Sequence, residues 1–168
     1  FGIVQKTESE KADYELKNGW LRELLVDQIA PDTLQHRHCI IGNALEVAFQ
    51  TNLTSVIEHL AYHFECGENY GKAYPYLIDA AKKLKNLAMM KEAMRYLERA
   101  LSIEPMARAQ MPILKANRQL AKILLERGRI AFILGNWELA MTQIRSAEQY
   151  ASRLGDNELL CTIYSERC

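Results

Sequence analysis

The run GRIAFILGNWELA, from Gly128 to Ala140, sets a glycine inside an otherwise strong helical pattern. Glycine in a helix interior costs about 1 kcal/mol relative to alanine. What it offers in return is the absence of a side chain, which lets a second helix approach closely. The residues that follow supply that helix. Gly135-Asn136 reads as a turn, Trp137 as the large wedge residue that opens the next helix, and Ala140 and Ala147 as small contact residues seven apart on it. These six positions agree in one register, so the run specifies two antiparallel helices in close contact. In that register Trp137 packs rather than stacks on a ligand.

The same frame fits Ala61, Phe64, Tyr70, Ala73, Leu77 and Ala80. A third, weaker fit uses Ala81, Ala93, Leu97, Ala100 and Pro105. Its first helix is the second helix of the preceding fit, so either one helix packs on both neighbours or one match is accidental. Self-similarity near a period of about 34 residues resembles the tetratricopeptide repeat. Met106 to Leu120 reads as an insertion that breaks the period.

The remaining elements follow from three-four apolar spacing and from helix stop signals. A helix begins at Trp20 and stops at Ala30-Pro31-Asp32. The next runs from about Asp32 to Phe49 with an apolar stripe of Leu34, Ile41, Ala44, Leu45 and Ala48. Thr54 is the expected N-cap of a helix ending at Gly67. A fourth helix starts near Asn69-Tyr70, and a fifth ends before Pro105. Met106 to Leu134 is helical, as one helix or two. A further helix runs from Trp137 to about Leu154, and another begins at Glu158. At the N-terminus, Phe1–Gln5 and Tyr14–Leu16 read as the strands of a hairpin. The fold class is therefore mainly α: an antiparallel helical-repeat array with a short N-terminal β-hairpin.

Hydrophobic residues make up 49% of the 168, enough for a sizeable core. Lysine plus arginine equals aspartate plus glutamate at 21 each, so the total charge leaves no footprint for nucleic acid or an anionic membrane. The apolar run Ile130–Leu134 is far too short to span a bilayer. Phe1–Gln5 lacks the basic and long apolar parts of a signal peptide. The four scattered cysteines fit a reduced, cytoplasmic setting. The first residue is not methionine and Cys168 lies within a helical pattern, so the chain reads as a piece of a longer protein.

Leu16-Lys-Asn-Gly-Trp-Leu-Arg-Glu-Leu-Leu-Val-Asp-Gln-Ile-Ala-Pro31 resembles a segment of the signal-transducing ATPases with numerous domains. Thr33 to Glu46, with His38 eight residues before Glu46, resembles the helix that follows it there. Within that superfamily, Leu60-Ala-Tyr-His-Phe-Glu-Cys-Gly-Glu-Asn-Tyr-Gly-Lys-Ala73 looks most like the C-terminal region of soluble adenylyl cyclases. Bacterial transcription regulators and kinases with the same ATPase module resemble it too. The resemblance implies that residues 1–50 end a winged-helix module and that residues 51–168 form tetratricopeptide-like repeats. It also implies a parent that uses ATP and Mg to make cyclic AMP in domains outside this chain, in the cytoplasm and the cilium or flagellum. Asn18 stands where the family usually has histidine and Val26 where it has an aromatic residue. No Gly-rich Lys-Ser/Thr phosphate loop occurs in this chain.

His59 and His63 are spaced to share a helix face, but Leu60 follows His59 where a zinc-peptidase helix carries glutamate. A metal-dependent enzyme built on this pair is the least favoured reading. His36, His38 and Cys39 point to different faces of one helix. Cys39 and Cys66 lie on apolar stripes and read as inert thiols. No catalytic, cofactor or metal residue is expected. The expected partner-binding face is the first helix of each repeat: Lys122, Arg129 and Phe132 in one, Glu58 and Tyr62 in the other. Leu125 stands where a carboxylate clamp needs lysine. The expected partners are proteins or peptides, or other domains of the same chain, with no nucleic acid and no membrane. A noncatalytic regulatory or scaffold segment of a signalling protein, an independent adaptor that binds peptide segments, or the sensor arm of a transcription regulator would use such a face.

Overall fold

In the computed structural model, residues 4–6, 14–16, 24 and 26–165 are described. Two short strands, β1 (Val4–Lys6) and β2 (Tyr14–Leu16), pair antiparallel with Val4 opposite Leu16. The residues joining them, and most of the expected helix from Trp20, lie outside the described residues. Seven helices follow among the described residues: α1 (Pro31–Ala48), α2 (Ile57–Cys66), α3 (Tyr70–Asn86), α4 (Met90–Ala109), α5 (Ile113–Ile133), α6 (Trp137–Leu154) and α7 (Asn157–Ser165). The molecule is mainly helical, consistent with an array of helical repeats.

Four of the connections are copies of one turn. Glu68, Ala88, Gly135 and Gly155 take the left-handed conformation, at φ 53°, 60°, 78° and 64°. At each, the next residue's N–H bonds a carbonyl five residues back: Asn69 to Phe64, Met89 to Leu84, Asn136 to Ala131 and Asp156 to Ala151. The left-handed residue's own N–H bonds three back, to Glu65, Lys85, Phe132 and Ser152 respectively. This pairing closes a helix C-terminus and consumes two of its orphan carbonyls. Asn69, Asn136 and Asp156 then cap the following helix, their side-chain oxygens accepting from Lys72, Leu139 and Leu159 N–H. One short residue thus ends one helix and begins the next, and that forces neighbouring helices antiparallel.

The turns also reveal the period. Ala61, Glu68, Asn69, Tyr70, Ala73, Ala80 and Ala88 recur 67 residues later as Gly128, Gly135, Asn136, Trp137, Ala140, Ala147 and Gly155. The triplet α2–α3–α4 is repeated as α5–α6–α7. Within the first triplet α3 packs on both α2 and α4, so both overlapping frames around Ala61 and Ala81 describe real helix contacts. Their small residues Ala61, Ala73, Ala80, Ala81, Ala93 and Ala100 are all fully or almost fully buried.

Between α5 and α6, a Cβ built on Gly128 would lie 2.6 Å from Ile144 Cγ1 and 3.2 Å from the Ala140 carbonyl oxygen. No side chain fits there, and the close contact offsets the helical cost of the glycine.

Several expectations change. Thr54 does not cap a helix: it sits in a 3-10 turn, Leu53–Val56, that leads into α2 without a side-chain cap. The fifth helix does not stop before Pro105 but continues to Ala109. Proline removes one backbone hydrogen bond, yet Ile103 and Ala107 on either side are buried, and that packing carries α4 through. Met106 to Leu134, open between one helix and two, holds the end of α4 and the whole of α5, parted at Gln110–Pro112, and the stretch Met106 to Leu120 belongs to those two helices rather than to an insertion.

The stripe assigned to α1 is rotated and seated only in part: Leu34 and Leu45 are half-buried, and Leu45 packs against the core. Ile41 is 43% exposed, and Ala44 and Ala48 are exposed as well. The buried residue is Gly42, which lies against the Phe64 ring. Polar ties set this rotation: Glu46 accepts from Lys72 Nζ at 2.5 Å and from Tyr76 Oη at 2.6 Å. Trp137 is not a buried wedge either. It is 60% exposed and meets the Phe132 ring edge-on, centroids 4.7 Å apart.

Candidate partner-binding groove

Among the expected site residues, α5 brings Lys122, Arg129 and Phe132 to one groove. Its apolar stretch, about 520 Å³, is lined by Met90 from α4, Phe132 and Ile133 from α5 and Ile144 from α6, with Lys85 and Arg129 at its side. Phe132 is 54% exposed, and Ile133, Leu134, Trp137 and Met141 are similarly open, so a contiguous apolar edge faces solvent at the α5–α6 turn. Monomer surfaces rarely carry such a cluster without a partner.

Arg129 also lines a second, adjoining pocket of about 240 Å³. Lys82 of α3, Arg118, Lys122 and Glu126 of α5, and Glu158 and Thr162 of α7 share its walls. Glu126 is 4% exposed, a buried carboxylate within the helical core. Lys85 Nζ donates to it at 2.6 Å, and the Arg129 guanidinium donates to its other oxygen. Two cations on one carboxylate offset its desolvation and hold both basic side chains at the groove wall. Arg118 bridges Asp156 at 2.6 Å and Glu158 at 2.9 Å, tying α5 to α7. Lys122 is half-buried and has no ion-pair or hydrogen-bond partner among the described residues.

Glu58 and Tyr62 stand apart from this groove. Glu58 accepts from Lys83 Nζ at 2.8 Å, a tie between α2 and α3. The Tyr62 ring, half exposed, meets His38 of α1 and His63 of α2 edge-on at 5.6 and 5.3 Å. The first-helix face of α2 is thus partly covered by α1, whereas that of α5 is open.

His63 pairs with His38 rather than with His59, the two Nδ1 atoms 2.9 Å apart. Among the described residues, no group of three histidine, cysteine, aspartate or glutamate side chains is placed to hold a metal ion. Burial, the largest influence, pushes the Cys66 thiol above its ordinary range, which disfavours the thiolate. Cys39 Sγ donates to the Gly67 carbonyl at 3.2 Å.

Lys82, Lys85, Met90, Arg118, Glu126 and Ile144 were not identifiable as groove residues from the sequence. Glu126 alone carries a local signal, an acid directly after Leu125 and two residues before Gly128 in a buried stripe. The others come from separate helices and meet only through the packing. Comparisons of the chain with protein-family models, with curated proteins and with solved structures found no match. Among the described residues, no helix is long and apolar enough to cross a membrane.

Proposed function

We propose that this chain is a noncatalytic, tetratricopeptide-like arm that docks a peptide segment, from a partner protein or another domain of its own chain, in the α4–α5–α6 groove. The open apolar edge at Phe132 and Ile133 beside that groove is the observation that carries the reading. The Gly128 contact and the repeated turns support the tetratricopeptide-like description. The parent would be a multidomain signalling ATPase of the soluble adenylyl cyclase type, with residues 1–50 ending its winged-helix module. That part rests on the resemblance of Leu16–Pro31, Thr33–Glu46 and Leu60–Ala73. In such a protein the arm transmits regulation while nucleotide chemistry proceeds in other domains.

The test is selection of binders from a random peptide display library on the folded chain. Selected peptides are expected to lose about tenfold or more in affinity on Phe132→Ser or Ile133→Ser, both exposed positions whose change leaves the helical spectrum intact. Selected peptides that bind both variants as well as the parent chain would remove the groove from the proposal.

A further inference from the structure

We infer that the occupant of the groove is an acidic-apolar peptide segment. A carboxylate side chain sits among Lys82, Arg118 and Lys122, and a neighbouring aliphatic or aromatic side chain lies against Met90, Phe132 and Ile133. This rests on the docking reading above and specifies the chemistry of what docks.

Charge is the first argument. The chain as a whole is neutral, yet the smaller pocket is lined by four cations, Lys82, Arg118, Lys122 and Arg129, and by two carboxylates, Glu126 and Glu158. Lys85 and Asp156, which pair with Glu126 and Arg118 at its edge, cancel one another. With Asp79 beside Lys82 counted, the excess is one positive charge, and it rests on Lys122. Lys122 has no partner among the described residues, and Lys82 meets only the half-exposed Asp79 at 3.5 Å. A half-buried ammonium interacts with an incoming carboxylate more strongly than one in open water does.

Continuity is the second argument. Arg129 lines both pockets, so the basic and apolar stretches form one path along α5. A ligand that satisfies both carries an acid and an apolar group close together, as a peptide does on neighbouring residues. The two carboxylates in the lining argue against a polyanion: nucleic acid needs cations in a row, and Glu126 and Glu158 would repel its successive phosphates. A single carboxylate can settle between them on Lys122.

Three capped, fluorescently labelled peptide pools test this by anisotropy against the full chain. They are randomised over Glu, Leu and Gly, over Gln, Leu and Gly, and over Glu, Ser and Gly. The Glu/Leu pool is expected to bind about tenfold more tightly than either of the others. Lys122→Gln should erase its advantage over the Gln/Leu pool. Raising salt from about 50 to about 500 mM should narrow the same gap, because mobile ions screen the carboxylate contact. Equal binding of the Glu/Leu and Gln/Leu pools, unaffected by Lys122→Gln, overturns the acidic requirement and leaves the docking reading standing. Equal binding of the Glu/Leu and Glu/Ser pools overturns the apolar requirement. If no pool binds, the inference fails, and the docking reading is then judged by the library selection alone. A single-stranded oligonucleotide that outbinds the Glu/Leu pool also overturns it.

Discussion

His38 Nδ1 on α1 lies 2.9 Å from His63 Nδ1 on α2. One nitrogen must donate and the other accept, so the contact needs at least one neutral ring. The His63 pKa is held below the ordinary 6.5, first by burial and then by the charges of His38 and His59. The folded state therefore prefers His63 neutral. Its contribution is fully present above the unfolded value of 6.5 and is lost as pH falls through the lowered folded value. The urea midpoint is expected to fall between about pH 7.5 and about pH 5.5, and His63→Gln should flatten that part of the profile. An identical pH profile for parent and variant would show that the pair contributes nothing.

A second prediction concerns Gly128 and Ile144. Gly128→Leu should destabilise the fold by about 1–3 kcal/mol through overpacking. Gly128→Ala gains helix propensity but drives its Cβ into Ile144 Cγ1. Truncating the neighbour makes room, so Gly128→Ala combined with Ile144→Ala should cost about 1 kcal/mol less than the two single changes added. Additive effects in chemical denaturation would mean that the two side chains do not share this space.

The repeated turn supplies a third. Ala88 is exposed and sits at φ 60°, where an L-residue is strained by about 1–2 kcal/mol. Ala88→Gly should raise stability by about 0.5–1 kcal/mol, part of the relief being offset by the greater freedom of glycine when unfolded. Gly135, at φ 78°, has no atom within 4 Å of an added Cβ, so Gly135→Ala tests backbone strain alone. It should cost about 1 kcal/mol. Thermal melts of the two variants should move in opposite directions.

The contact between α5 and α6 was legible because its signal is local: Gly128, Gly135, Asn136 and Ala140 lie within thirteen consecutive residues. The overlap of the frames at Ala61 and Ala81 was legible as a choice, and α3 resolves it by packing on both sides. The helix ends on either side placed the turn at Glu68, but the left-handed conformation of Glu68 and Ala88 gave no sign, since neither is a residue type that favours positive φ. Pro105 gave a false one, because burial of Ile103 and Ala107 outweighs the missing hydrogen bond. In α1 the apolar stripe and the seated face differ, because Glu46 is drawn to Lys72 and Tyr76 on another helix. Lys122, Arg129 and Phe132 were found from repeat register, while the helices that complete their groove were not.

The sequence by itself determined the helices, their antiparallel succession and the small residues at their contacts. Those features depend on spacings within one or two helical turns, where propensity, capping and the lack of a Cβ act on near neighbours. Only the tertiary structure decided which face of α1 is buried, which of two first-helix faces stays open and which charges meet at Glu126. Those outcomes join residues that are distant in the chain, such as Lys85 and Glu126 or Glu46 and Tyr76. A buried charge or hydroxyl must find a partner wherever the packing places one, and no local spacing encodes that meeting.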